Sequence, residues 1–89
     1  MMQQQVQIIN RLGLHARAAA KLVHTANGFR SQIFVGTSEE EVNAKSILGL
    51  LTLAATKGTP VTVRAEGDDE EEAVRAVVAL FQGRFGEGE

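Results

Sequence analysis

The sequence predicts an α+β fold in which one sheet, antiparallel or mixed, is covered on a single face by helices. Three observations support this. Short segments with a two-residue apolar period alternate with longer segments of helical period, in the order strand, helix, strand, strand, helix, strand, helix. The chain of 89 residues can bury one core but not two, so a single domain spans residues 1–89. Its strands are half polar, which leaves the second face of the sheet to solvent.

Each element has a local reason. Gln5 to Asn10 sets Val6 and Ile8 on one face between glutamines, as in a half-buried strand. From Ala16 to Ala26, Ala19, Leu22, Val23 and Ala26 follow the spacing of a core-facing helix stripe, and Asn27-Gly28 supplies the stop. Ser31 to Val35 reads as a second strand, and after the turn Gly36-Thr37-Ser38, Glu41 to Asn43 reads as a third, making a hairpin. Ser46 stands before the apolar segment ILGLLTLAA and Lys57-Gly58 after it, an N-cap and a terminator for a second helix. Thr59 to Glu66 alternates Val61, Val63 and Ala65 with polar residues, and Pro60 sits at the strand's start, where its missing N–H is not needed. Asp69 followed three residues on by Glu72 predicts a capping box. Ala73, Val74, Val77, Val78 and Phe81 then form the stripe of a last helix ending at Gly83. The Gly/Glu segment from residue 86 to residue 89 reads as a disordered tail.

Composition excludes several functions. Hydrophobic content of 44% and charged content of 22% fit an ordinary folded domain. A net charge of −2 and only four aromatic residues, all Phe, provide neither the basic surface nor the stacking platform that nucleic acid requires. Without cysteine there is no disulfide or thiolate chemistry, and the chain suits a reducing cytoplasm. The N-terminal MMQQQVQIIN has neither a basic leader nor a long apolar run, so no membrane insertion is expected. No P-loop, zinc-ligand spacing or dinucleotide fingerprint occurs, and no cofactor or metal is expected.

The segment LGLHARAAAKLV places His15 just where the first helix begins. By itself a histidine there is more often an incidental loop residue; its neighbours make it a candidate. A helix start presents unpaired N–H groups and the positive end of the macrodipole, here the amides of Ala16, Arg17 and Ala18, and the Arg17 side chain adds a permanent cation. Such a field disfavours imidazolium and leaves a ring nitrogen free as a nucleophile. A phosphoryl group arriving on it would be favoured by about 0.3–1 kcal/mol per charge, a modest bias suited to a group that must leave again. Gly13 allows an unusual backbone angle beside the ring. Arg17, Ala20, Lys21 and His24 share a side of the helix away from the core stripe, where short alanines admit a partner. His15 and His24 are about 13 Å apart along the axis and half a turn out of phase, which excludes a metal pair, so His24 is read as a partner-facing residue.

GLHAR before an alanine-rich helix, with AKSILGLLTLAATKGTPV downstream, resembles the HPr family, the histidine-containing phosphocarriers of the phosphoenolpyruvate-dependent phosphotransferase system. The likeness runs from about Gln5 to Phe85. It implies an open-faced β-sandwich of topology βαββαβα, with a four-stranded antiparallel sheet in order 1-4-2-3 and three helices on one face. It also implies phosphorylation of His15 on Nδ1 by Enzyme I, assistance by Arg17, and discharge to a permease A domain in sugar uptake and its regulation. The protein would then be a monomeric phosphoryl carrier and not a stand-alone catalyst. Ser46 matches a regulatory serine modified by an HPr kinase/phosphorylase, although a serine there is already explained as a cap. Ile47, Leu48 and Leu51 match an apolar docking patch, of which at least one residue should instead pack on the sheet. Two departures stand out: Ala18 replaces the family's usual proline, and His24, Asn27 and Gly49 stand where sugar-type carriers have basic residues. The C-terminal ALFQGRFGEGE bears some likeness to nitrogen-type regulatory carriers. A regulatory binding module acting through the Ser46 helix is the competing class; a stand-alone acid-base enzyme lacks a second convergent group near His15.

Overall fold

A computed structural model of the chain describes residues 1–53 and 55–88. The strands are β1 (Met2–Gln7), β2 (Gln32–Gly36), β3 (Glu41–Asn43) and β4 (Pro60–Glu66). The helices are α1 (Ala16–Ala26), α2 (Ile47–Leu53) and α3 (Glu70–Gln82), followed by a 3₁₀ turn over Arg84–Gly86. The four strands form one antiparallel sheet in the order β1-β4-β2-β3, as the family resemblance implied, with the helices on one face.

The register explains the layering. Val61, Val63 and Ala65 of β4 point inward, flanked by Val6 of β1 and by Ile33 and Val35 of β2. Onto them α3 lays its stripe of Ala73, Val74, Val77, Val78 and Phe81, all buried, and α3 packs on both β1 and β4. Each large apolar side chain so buried contributes roughly 1.5–3 kcal/mol. α1 adds Ala18, Ala19, Leu22 and Ala26, and α2 adds Leu50 and Leu53. The open face carries polar residues and one aromatic, Phe34. Arg64 lies directly across from it, 4.4 Å over the ring centroid, and bonds Glu41 at 2.7 and 3.0 Å and Glu66 at 2.9 Å.

α1 and β3 have their expected bounds, whereas β1, β2, α2 and β4 differ: β2 runs over Gln32–Gly36 instead of Ser31–Val35, and β4 begins at Pro60 instead of Thr59. β1 begins at Met2 instead of Gln5, because the exposed glutamines pair through their backbone with β4 from Met2↔Ala65 onward. It ends at Gln7, while Ile8 stays buried and pairs with the loop before β4 through Thr59 O and Gly58 N. α2 is described over Ile47–Leu53; the expected helical residue Ala54 lies outside the described residues, and Ala55, also expected in the helix, is not helical. The capping box at Asp69 does not form. Asp69 makes no cap bond to its own helix and accepts instead from Arg30 N and Ser31 N, both at 2.9 Å, and from Ser31 Oγ at 2.5 Å. Those contacts tie α3 to the start of β2 and hold the Asp69 carboxyl at about 2, with the Ser31 hydroxyl the largest cause and the Arg30 amide next.

The C-terminal segment corrects a further expectation. Gly86 to Gly88 lie folded against the start of α1, and Glu87 is hydrogen-bonded there; Glu89 lies outside the described residues. Phe85 is the anchor, buried edge-on against Phe81 with ring centroids 5.0 Å apart. Its φ of 55° and that of Arg84, 56°, put two consecutive non-glycine residues in the left-handed region at about 1–2 kcal/mol each. Burial of the Phe85 ring offsets that strain, and the reversal turns the chain back across the helix end.

Candidate functional site

The loop between β1 and α1 delivers His15 to its position through backbone bonds. Gly13 N donates to Asn10 O at 3.1 Å, Leu14 N to Ala55 O at 2.9 Å, and His15 N to Gly13 O at 3.0 Å. Buried Asn10 adds a side-chain bond from Nδ2 to Gly13 O at 2.8 Å. Gly13 is required twice over. Its φ is +68°, and a Cβ there would lie 2.6 Å from Ala55 O, a backbone atom that cannot move aside cheaply.

His15 is the N-cap of α1, with extended backbone (φ −84°, ψ 179°), and its carbonyl accepts the first intrahelical bond, from Ala19 N at 2.8 Å. The amides of Ala16, Arg17 and Ala18 therefore precede the helical ladder, as expected. One of them is engaged by the ring itself: Arg17 N points at His15 Nδ1 at 3.3 Å, a long bond by the standard of N–H donors. The other ring nitrogen, Nε2, contacts Glu87 Oε2. The second oxygen of that carboxylate accepts from Asn10 Nδ2 at 3.0 Å. The wholly cationic surroundings expected for the imidazole thus also contain a carboxylate. The His15 bond, opposed by burial and seconded by Asn10, holds Glu87 below the usual carboxylate range.

Beside the ring is an open cavity of about 640 Å³, lined by His15, Arg11, Arg17, Lys21, Gly86 and Glu87 among others. Three of these are cations, which suits a phosphoryl dianion. Lys21, expected on the partner surface, is exposed but donates to Phe85 O at 2.5 Å, fastening the C-terminal turn to α1. Ala20 and His24 are exposed on the same helix. Sequence reasoning missed Arg11, which stands just ahead of the motif, as well as Asn10 and Glu87.

At the start of α2, Ser46 Oγ accepts from Gly49 N at 3.1 Å and Ser46 O accepts from Leu50 N at 3.1 Å, so the serine caps as expected. Ile47, Leu48 and Leu51 are all exposed, at 42%, 75% and 39%. The expectation that one of them packs on the sheet is corrected: the helix phase gives that role to Leu50 and Leu53. Among the described residues no three His, Cys, Asp or Glu side chains gather into a metal site.

Comparison with known proteins bears on this arrangement. The family profile described as "PTS HPr component phosphorylation site" matches residues 2–83. The phosphocarrier protein HPr of Neisseria meningitidis serogroup A is 51% identical over 89 residues, covering all of both chains. That of Cupriavidus necator is also 51% identical over the full length of both. Among solved structures, the crystal structure of HPr-C-His from Thermoanaerobacter tengcongensis superposes with a TM-score of 0.95 at 48% identity, again over the whole of both chains.

Proposed function

The chain belongs to the HPr family of phosphocarrier proteins, and on that premise we propose that His15 is the residue through which it carries phosphate. It relays a phosphoryl group from Enzyme I to permease components in sugar uptake by the phosphotransferase system. It is a carrier and not a stand-alone catalyst. The observation that carries the His15 assignment is the cap geometry, in which an imidazole 26% exposed stands at the positive end of α1 beside a cavity lined by Arg11, Arg17 and Lys21.

In this reading Nδ1 attacks the phosphorus of the loaded Enzyme I. Its lone pair gives up the long contact with Arg17 N and forms the N–P bond, while the donor's bond to phosphorus breaks and the electron pair returns to the donor. The arriving oxygens then face the free amides of the first turn and the Arg17 guanidinium, which lower the energy of the charge as it develops. Discharge to a permease A domain is the same step in reverse order. Ala20, His24 and the exposed Ile47, Leu48 and Leu51 supply the surface on which these partners dock. No helix among the described residues is long and apolar enough to cross a membrane, and the work with Enzyme I supports a cytoplasmic setting.

Ser46 is a second point of control in this proposal, acted on by a kinase/phosphorylase. A phosphate there would set a dianion beside Ile47, Leu48 and Leu51, and burying it against a partner would be costly, giving inhibition without a change of fold.

Incubation with phosphoenolpyruvate and Enzyme I tests the central assignment. Acid-labile, base-stable phosphate should appear on His15, and His15→Ala should abolish it; phosphate retained by that variant would refute the assignment.

A further inference from the structure

We propose that Glu87 is a positioning residue for phosphotransfer, holding the His15 proton on Nε2 so that Nδ1 is the nitrogen left to attack. The inference rests on the carrier reading of His15 and adds to it the C-terminal segment, which that reading does not use. A neutral imidazole carries one proton on either nitrogen, and the hydrogen bond at one end decides which. Here both ends point the same way. Arg17 N donates toward Nδ1, so that nitrogen presents its lone pair, and the Glu87 carboxylate, acceptor only when ionised, takes the proton of Nε2.

The carboxylate is itself held. Asn10 Nδ2 bonds its second oxygen at 3.0 Å, and Asn10 is fully buried in the loop that places His15. The chain leading to it is fixed by the buried Phe85 ring and by Lys21 Nζ on Phe85 O. Gly86, at φ +78°, completes the reversal close to Lys21 Nζ, which a Cβ would approach to 3.1 Å. The Glu87 side chain is only 14% exposed, and the His15 bond, with Asn10 behind it, holds its carboxyl below the usual carboxylate range, so that at neutral pH it is an acceptor.

The group transfer then balances without moving a proton. The Nδ1 electron pair forms the bond to phosphorus, the donor's bond to phosphorus breaks and keeps its pair on the donor, and the ring becomes a phosphoimidazolium whose Nε2–H stays bonded to Glu87. The carboxylate compensates the positive charge that the ring acquires, and does so from the side opposite the incoming dianion.

Two variants of the full chain test this, Glu87→Ala and Glu87→Gln, the latter retaining a carbonyl that can accept from Nε2–H. Nitrogen-15 spectra of the His15 ring at neutral pH, recorded with no phosphoryl donor, should show a protonated Nε2 and an unprotonated Nδ1 in the native protein. In Glu87→Ala both signals should move toward the tautomer average, and the initial rate of phosphorylation by Enzyme I should fall about tenfold. Glu87→Gln should retain the native ring signals and recover most of the rate. Unchanged ring signals in Glu87→Ala, or a rate equal to or above the native one, would overturn the proposal. Failure of the carrier reading would look different: the native protein itself would acquire no phosphate on His15, whatever its ring spectrum.

Discussion

The starts of α1 and α2 differ in how they hold the residue that caps them. Ser46 is fixed locally: its hydroxyl accepts from an amide three residues on, and both partners lie within one turn. His15 caps through a longer bond to an amide two residues on, and its ring is placed by groups remote in sequence, Ala55 through the loop and Glu87 from the far end of the chain. The comparison teaches that a side chain whose task is capping can be supplied by its own helix. A side chain that must present one nitrogen to a partner needs its orientation imposed from outside.

Gly13→Ala should strike this difference hardest. The added methyl meets Ala55 O and the residue is forced to keep a positive φ, so the fold should lose about 2–3 kcal/mol in urea titration. Phosphorylation of His15 should slow as well, because the Leu14 to Ala55 bond that carries the histidine is displaced; full retention of rate would mean that the remote anchoring is dispensable. Ser46→Ala should cost only the local cap, about 1 kcal/mol by the same titration. A loss as large as that of Gly13→Ala would show that Ser46 is not merely a local device.

Asp69 sharpens the contrast at the third helix start, where the smallest effect is expected. Its folded pKa of about 2 lies below the unfolded carboxylate value, so its contribution is complete above roughly pH 4 and is lost as pH falls through the folded value. Stability should therefore decline from about pH 4 toward pH 2, and Asp69→Asn should flatten part of that decline. An identical acid profile for the variant would remove Asp69 from the account.

Where structure follows from neighbours, the sequence was readable. The bounds of α1 follow from an alanine-rich stripe and an Asn-Gly stop, and Gly13 and Ser46 have the geometry their local patterns require. The errors occur where a distant partner prevails. Asp69 has the local signature of a cap, but the paired amides of Arg30 and Ser31 offer its carboxylate more donors than its own helix does. The glutamines of β1 have no apolar period to display, since an edge strand can be held by backbone bonds alone. Glu87 lies in a segment whose composition suggests disorder, and its contact with His15 spans 72 positions. One local signal was available there: an aromatic residue set between Gly83 and Gly86, capable of burying itself and turning the chain. The strand order came from family likeness, because alternation specifies which face a strand buries but not its neighbour.

The Arg64 side chain spread over Phe34 has a consequence for how this molecule behaves in a crowded solution. A bare phenyl ring in the middle of an uncovered sheet is adhesive, and two such surfaces would tend to stack. One guanidinium, splayed between two acidic neighbours, hydrates that spot and lets the architecture dispense with a second helical layer. Trimming Arg64 would therefore be felt first as a change in colloidal behaviour, with self-association rising at concentrations where the native protein stays dispersed.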